Sequence, residues 1–243
     1  MGKKGYLILE NGDIFAGISF GKETDVNGEV VFNTGMTGYP EGFTDPSYCG
    51  QILTCTYPLI GNYGVPPEDK TGNIPEFLES EKIQIRGLLV SSYVPGNNHW
   101  QSEESLSFWL KKEGIPAISG IDTRTLTKTL REFGVMKGII TFKDPRQLAG
   151  ISFYDINRDN LVAKVSCQKS VIYGNGKMKL LLIDCGLKYS QIKLLLKLDT
   201  TVIRVPWNFN PFKARGQTFK EIQGLTPFDA IIISNGPGDP KKA

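Results

Sequence analysis

Histidine is almost missing from this chain: His99 is the one imidazole in 243 residues. A multi-histidine metal site is therefore excluded, and any nucleophile that needs a histidine base has one candidate to draw on. Cysteine is sparse too. Cys49, Cys55, Cys167 and Cys185 show neither CxxC spacing nor the rhythm of a secreted disulfide domain, so reduced thiols in a cytoplasm are the plain expectation. No apolar run approaches the roughly 20 residues that span a bilayer. Lys and Arg are scattered, and a net charge of +3 without a basic stripe gives nucleic acid no footprint. Met1-Gly2-Lys3-Lys4 runs directly into a strand pattern, which argues against a signal or transit peptide, and Tyr6 stands where myristoylation wants Ser or Thr.

What is present reads as two units. The first opens with GYLILE, Asn11-Gly12 and DIFAGISF, where an Asn-Gly pair between β-prone runs predicts a hairpin with a type I′ turn. Strands are predicted at residues 29–33 (EVVFN), 51–57 (QILTCTY), 85–93 (IRGLLVSSY), 116–119 and 137–142, with a polar, glycine-rich passage at 34–50. Ser102 is expected to cap a helix carrying Leu106, Trp109 and Leu110 and ended by Gly114. Asp122 is expected to cap a second, TRTLTKTLREF, with Leu126, Leu130 and Phe133 on one side. This gives a mixed β/α domain over residues 1–143, followed by an irregular linker over 144–177.

The second unit, residues 178–243, alternates cleanly. Residues 179–184 (KLLLID) read as a buried strand, and Gly186 turns the chain into helix YSQIKLLLKL, whose Ile192, Leu195 and Leu196 face inward. TVIRV (201–205) is the next strand, 219–223 a short helix, and 230–233 a third strand. The order β-α-β-α-β is the opening half of a doubly wound parallel sheet. Three parallel strands leave a sheet edge and much apolar face uncovered, so the reading is of a truncated protein.

The last strand runs into Ser234-Asn235-Gly236-Pro237-Gly238-Asp239-Pro240, too rich in Gly and Pro for helix or strand. Glycines at the carboxyl end of such a strand let backbone N–H groups approach a ligand, where open α/β sheets bind their ligands. Neither a G-x-G-x-x-G nor a Walker A loop follows Asp184, which argues against an α/β nucleotide binder.

Five blocks carry a resemblance: GEVVFNTGMTGYPE (28–41), TDPSYCGQILTCTYPLIGNYG (44–64), GIDTRTLTKTLRE (120–132), DCGLKYSQI (184–192) and SNGPGDP (234–240). In this order they resemble the small (glutaminase) subunit of carbamoyl phosphate synthetase, and more closely the amino-terminal part of the eukaryotic fused pyrimidine-pathway enzyme. The resemblance implies a first domain that docks on the synthetase portion and a second that is a flavodoxin-like class I glutamine amidotransferase. Such enzymes release ammonia from glutamine through a cysteine thioester, and the synthetase makes carbamoyl phosphate from that ammonia, bicarbonate and ATP. It implies that Ser47, Gly236 and Gly238 contact glutamine, with Gly236 supplying an oxyanion N–H and Gly238 a contact to the amino-acid end. It places the nucleophile, His and Glu beyond Ala243, so no catalytic residue is expected in this chain, which should be inactive alone. No metal or cofactor is expected here either; ATP and Mg2+ belong to the synthetase portion. Partners are that synthetase, as subunit or fused domain, and glutamine, with no nucleic acid or membrane. An ammonia-dependent relative carries Ala at the place of Ser47 and a GGPGNP-like turn, so at these positions this chain resembles the glutamine-using branch, whereas NNHW (97–100) is closer to the ammonia-dependent one.

Each residue also has a bland reading. Cys185 sits between a strand and a helix, like a nucleophile elbow. It lacks a small residue on each side, since Asp184 precedes it, and has no histidine in its unit, so a structural role is expected. His99 reads as a surface or interface residue, Trp100 and Trp109 as packing or docking anchors, Asp122 as an N-cap or part of an inter-subunit surface, and Ser47 as an Asp-Pro-Ser turn residue. The competing function is a non-catalytic docking or regulatory fragment that binds the synthetase portion.

Overall fold

A computed structural model of the chain describes residues 2–67, 70–71, 74–96, 102–147, 150, 152–211 and 228–242. It divides into two compact units: Met1–Thr44, Tyr48–Asp69 and Lys82–Ile156 form the first, Asp45–Ser47, Lys70–Glu81 and Asn157–Ala243 the second.

The strands in chain order are β1 (Lys4–Leu9), β2 (Ile14–Ser19), β3 (Val26–Asn33), β4 (Gln51–Cys55), the two-residue β5 (Lys70–Thr71) and β6 (Ile74–Pro75), then β7 (Gly87–Val90), β8 (Ala117–Ser119), β9 (Met136–Thr141), β10 (Val171–Tyr173), β11 (Met178–Asp184), β12 (Thr200–Pro206) and β13 (Ala230–Ile233). The helices are α1 (Tyr39–Thr44), α2 (Leu106–Lys112), α3 (Thr123–Phe133), α4 (Leu161–Val165) and α5 (Tyr189–Leu196).

In the first unit seven strands close into a barrel, in the order β1-β2-β8-β7-β4-β3-β9. β3, β4, β7 and β8 run parallel to one another, and β1, β2 and β9 close the ring through antiparallel pairs. The GLLV of β7 is buried throughout, as a central parallel strand covered on both faces should be. Leu7, Val30, Ile52, Leu89, Ile118 and Ile140 fill the barrel, and α3 adds Leu126 and Leu130 to the same core.

The β1–β2 hairpin forms as predicted, but its turn is not type I′. Gly12 N–H donates to the Leu9 carbonyl at 2.9 Å, Leu9 N–H to the Asp13 carbonyl, and only Gly12 of the loop has positive φ, at 93°. A type I′ turn needs positive φ at both central residues; here Glu10 and Asn11 take ordinary φ and Gly12 forms the bulge of a three-residue loop. The cap of α2 is Ser105, whose Oγ accepts from Phe108 N–H at 3.3 Å. Ser102 instead donates to the Glu104 carbonyl. Gly114 does end that helix: its N–H reaches the Lys111 carbonyl and Ile115 N–H that of Leu110, a Schellman closure. Asp122 caps α3 through Thr125 N–H at 2.9 Å. Phe133, expected beside Leu126 and Leu130, is 66% exposed. Periodicity assigns a face, and at the last position of this helix no core lies opposite it.

The second unit holds a four-stranded sheet in the order β10-β12-β11-β13. β12 and β13 run parallel to β11 on its two sides, and β10 joins β12 antiparallel. The segment 144–177 is therefore not irregular throughout: it contains α4, capped by Asn160, and the edge strand β10. Three residues beside Gly and polar neighbours are too few for a period-2 signal. Leu182, Leu187, Ile192 and Val202 pack with Ile74, and Leu181, Ile203 and Val205 form a separate cluster. The helix predicted at 219–223 lies outside the described residues. From β11 the chain passes through α5 to β12, then returns to the other side of β11 as β13. Connections leaving in opposite directions open a crevice at the carboxyl ends of β11 and β13.

Candidate functional site

At the end of β11 stands Asp184, with no solvent exposure. Its Oδ1 accepts from Gly186 N–H at 3.0 Å and Leu187 N–H at 2.9 Å; its Oδ2 accepts from Cys167 N–H at 2.8 Å and Arg204 Nε at 2.7 Å. Arg204 Nη2 adds a contact at 2.6 Å. Burial would pull the Arg204 guanidinium below its ordinary value, but the facing carboxylate more than reverses this and raises it. One carboxylate thus fixes the β11–α5 turn to β12 and to the segment after α4.

The second turn comes off β13. Ser234 N–H donates to the Ile183 carbonyl, and Ser234 Oγ accepts from Cys185 N–H at 2.9 Å, so the two turns lie side by side. They touch through glycine. A side chain on Gly236 would overlap the Cys185 carbonyl, and one on Gly186 would come 2.9 Å from the Gly236 Cα. Gly238 has φ 74°, which a bare residue adopts without strain. Gly236 and Gly238 are both exposed, and among the described residues neither N–H has a hydrogen-bond partner. Two free backbone donors on a rigid turn suit an anionic or carbonyl oxygen.

The third segment is Asp45–Ser47, far away in sequence. Ser47 N–H donates to Asp45 Oδ1 at 2.9 Å, the Asx turn expected of Asp-Pro-Ser. Lys188 Nζ reaches Asp45 Oδ2 at 3.3 Å. Asn235 Nδ2 donates to Ser47 Oγ at 3.2 Å, and Asn235 Oδ1 accepts from Gln191 Nε2 at 2.9 Å. Gln191 Oε1 accepts from Lys188 N–H at 3.2 Å. Of the three predicted site residues, Ser47 is therefore brought against Asn235, the residue before Gly236, and Gly238 follows two positions on in the same turn. Asp45, Lys188, Gln191 and Asn235 were not predicted. The one signal in the sequence was their position inside blocks already singled out for other residues.

Three of the four cysteines have thiols held above their ordinary value. The Cys185 thiol is pushed above its ordinary value by burial and then by Asp184. Burial raises Cys55 to about 12, and Cys167 also stands at about 12, raised chiefly by burial, with Arg204 opposing and Asp184 adding. A raised pKa withholds the thiolate that attack requires. His99 and Trp100 lie outside the described residues, which therefore include no histidine. Trp109 is a packing residue of α2, 7% exposed. Among the described residues no cluster of three or more His, Cys, Asp or Glu could hold a metal ion, and no helix is long and apolar enough to cross a membrane.

Residues 7–140 match the family model described as carbamoyl-phosphate synthase small chain, CPSase domain, and residues 181–243 match glutamine amidotransferase class-I. The chain is 43% identical over 242 residues to carbamoyl-phosphate synthase [ammonia], mitochondrial, of Homo sapiens, covering 98% of this chain and 15% of that protein. It is 43% identical over 238 residues to the multifunctional protein CAD of Squalus acanthias, covering 97% and 10%. With the carbamoyl phosphate synthase small chain of Pyrococcus furiosus the figures are 42% over 244 residues, 98% and 63%. This chain thus spans from about a tenth to under two thirds of the length of these relatives. Among solved structures, an aminopeptidase from Aneurinibacillus sp. strain AM-1 aligns over 84% of this chain and 49% of its own, at 14% identity and a TM-score of 0.33, too low to carry an argument.

Proposed function

The chain belongs to the carbamoyl-phosphate synthase small-chain family, and from that premise we propose that it is part of the glutamine-hydrolysing component of a glutamine-dependent carbamoyl phosphate synthase. In this reading the barrel unit docks on a synthetase, either a separate large subunit or a fused domain. The second unit is the first part of a flavodoxin-like class I amidotransferase sheet. Ammonia released from glutamine passes within the complex to the synthetase, which uses bicarbonate, ATP and Mg2+, in the cytoplasm, for pyrimidine or arginine biosynthesis.

One observation carries this reading: Ser47 is hydrogen-bonded to Asn235 although 188 positions separate them, beside the free N–H groups of Gly236 and Gly238. A hydroxyl beside a turn that carries two unpaired backbone donors suits the acceptor groups of an amino acid. Gly236 N–H is assigned to the oxyanion that forms as the side-chain amide is attacked, and Gly238 N–H to the amino-acid end. The reaction also requires a thiolate and an imidazole. With the Cys167 and Cys185 thiols raised, Ser47, Gly236 and Gly238 are assigned the binding and electrostatic share of catalysis. Both ammonia-named and CAD-named relatives stand at 43% identity, so identity does not choose between branches. The Ser47–Asn235 contact supports the glutamine-using one.

The test compares the 243-residue chain with the intact synthase that carries it. The intact enzyme is expected to form carbamoyl phosphate from glutamine, and the chain alone to hydrolyse glutamine no faster than a buffer blank. Turnover by the chain alone that disappears in Cys185→Ser would make Cys185 the nucleophile and overturn this assignment. The raised thiols of Cys167 and Cys185 favour a second reading, a docking or regulatory fragment without catalysis. That reading requires co-purification with a synthetase whose glutamine-dependent rate is unaffected by changes at Ser47.

A further inference from the structure

Four groups in the second unit form a hydrogen-bonded chain whose direction is fixed at one end. The first is the backbone N–H of Lys188, which can only donate. Gln191 must therefore turn its Oε1 toward it, at 3.2 Å, and its Nε2 away. Nε2 then donates to Asn235, so the Asn235 oxygen faces Gln191, at 2.9 Å, and its Nδ2 faces Ser47. Nδ2 donates to Ser47 Oγ at 3.2 Å. The hydroxyl of Ser47 accepts on this side and has its own proton left to give on the other.

We propose that Gln191 and Asn235 are positioning residues that hold Ser47 as a hydrogen-bond donor toward the ligand, so that Ser47 selects an acceptor group, the α-carboxylate of glutamine. This rests on the reading of Ser47 as a glutamine contact given above. The carboxylate is assigned because glutamine offers two acceptors, and its side-chain carbonyl is the one placed at the Gly236 N–H. A serine free to rotate would serve a donor or an acceptor equally; the Lys188–Gln191–Asn235 chain removes that freedom.

Gln191→Glu tests the chain without touching Ser47. Glutamate keeps the acceptor that Lys188 N–H requires and suits the first turn of a helix, so α5 is retained. It cannot donate to Asn235. The Asn235 amide then turns over, presents its oxygen to Ser47, and takes the Ser47 proton away from the ligand.

In the intact synthase, Gln191→Glu is expected to raise KM for glutamine about tenfold with kcat changed less than about twofold, the loss of one hydrogen bond to a charged group. A new negative charge could raise KM by repulsion alone, so the same change is made in Ser47→Ala. If the effect runs through the serine hydroxyl, Gln191→Glu adds nothing there. An equal loss in both backgrounds, or no loss in either, overturns the relay while leaving Ser47 a glutamine contact. An unchanged KM in Ser47→Ala by itself overturns the Ser47 contact, and the relay with it.

Discussion

Arg204 and Asp184 meet through two contacts, at 2.6 and 2.7 Å, with the carboxylate wholly shielded from water. The pair joins β12 to the carboxyl end of β11, the strand that leads into the candidate site. The Arg204 guanidinium also lies 5.9 Å from the centre of the Tyr189 ring, at the start of α5. Its importance lies in geometry more than in net stabilisation, because burying two charges offsets most of their attraction.

Removing one partner leaves the other charged and buried. Arg204→Met is expected to destabilise the second unit by about 3–5 kcal/mol, while adding Asp184→Asn, which removes the unpaired charge but keeps an oxygen for the Gly186 and Leu187 N–H groups, recovers part of that loss. Denaturant unfolding of the single and double variants, followed by circular dichroism, gives the coupling. Additive losses in the double variant would show that the pair is not the anchor of this turn.

Buried thiols make the protein sensitive to base. Cys55 and Cys167 stand at about 12 in the fold, against an ordinary value of 9.0, and Tyr63 stands at about 12 against 10.0. A folded value above the unfolded one contributes stability that is fully present below the unfolded pKa. It is lost as pH rises through the folded pKa. Stability is therefore expected to fall between about pH 9 and 12, and Cys55→Val to flatten that fall without changing the acid limb. A thermal-melt series across pH 7–11 checks it, and equal slopes in both proteins would contradict it.

The two turn glycines differ in tolerance. A methyl group on Gly236 runs into the Cys185 backbone, which cannot swing aside, whereas on Gly238 it meets the Leu161 side chain at 3.2 Å. Gly238 also carries the strain of its φ of 74°. Gly236→Ala is expected to reduce glutamine-dependent kcat/KM in the intact synthase by on the order of a hundredfold, the scale of a displaced oxyanion donor. Gly238→Ala should cost less. Steady-state kinetics with glutamine gives the ranking, and the reverse order would remove Gly236 from the oxyanion role.

The site was legible to the extent that local rules reach. Ser234–Pro240 could be read as a ligand turn because Gly and Pro exclude regular structure there, and β11, α5 and β12 because their apolar periods are unbroken. The contact of Asn235 with Ser47 and the direction imposed by Lys188 on Gln191 were not legible, since side chains far apart in sequence leave no periodic trace. The barrel was hidden for a related reason. Its parallel pairs β3–β4, β4–β7 and β7–β8 are set by crossover connections, and only the β1–β2 hairpin is announced by its own turn. Its Asn-Gly still misled about turn type, because a third loop residue let Asn11 keep ordinary φ.

The central claim, that the crevice beside Gly236 receives glutamine through Ser47, is tested most directly by Ser47→Ala in the intact synthase, with carbamoyl phosphate formation measured from glutamine and from ammonium in the same preparation. The expected result is a glutamine KM raised about tenfold, as for one lost hydrogen bond to a charged group, with the ammonium-dependent rate unchanged. Glutamine and ammonium rates that both match the unaltered enzyme would contradict it.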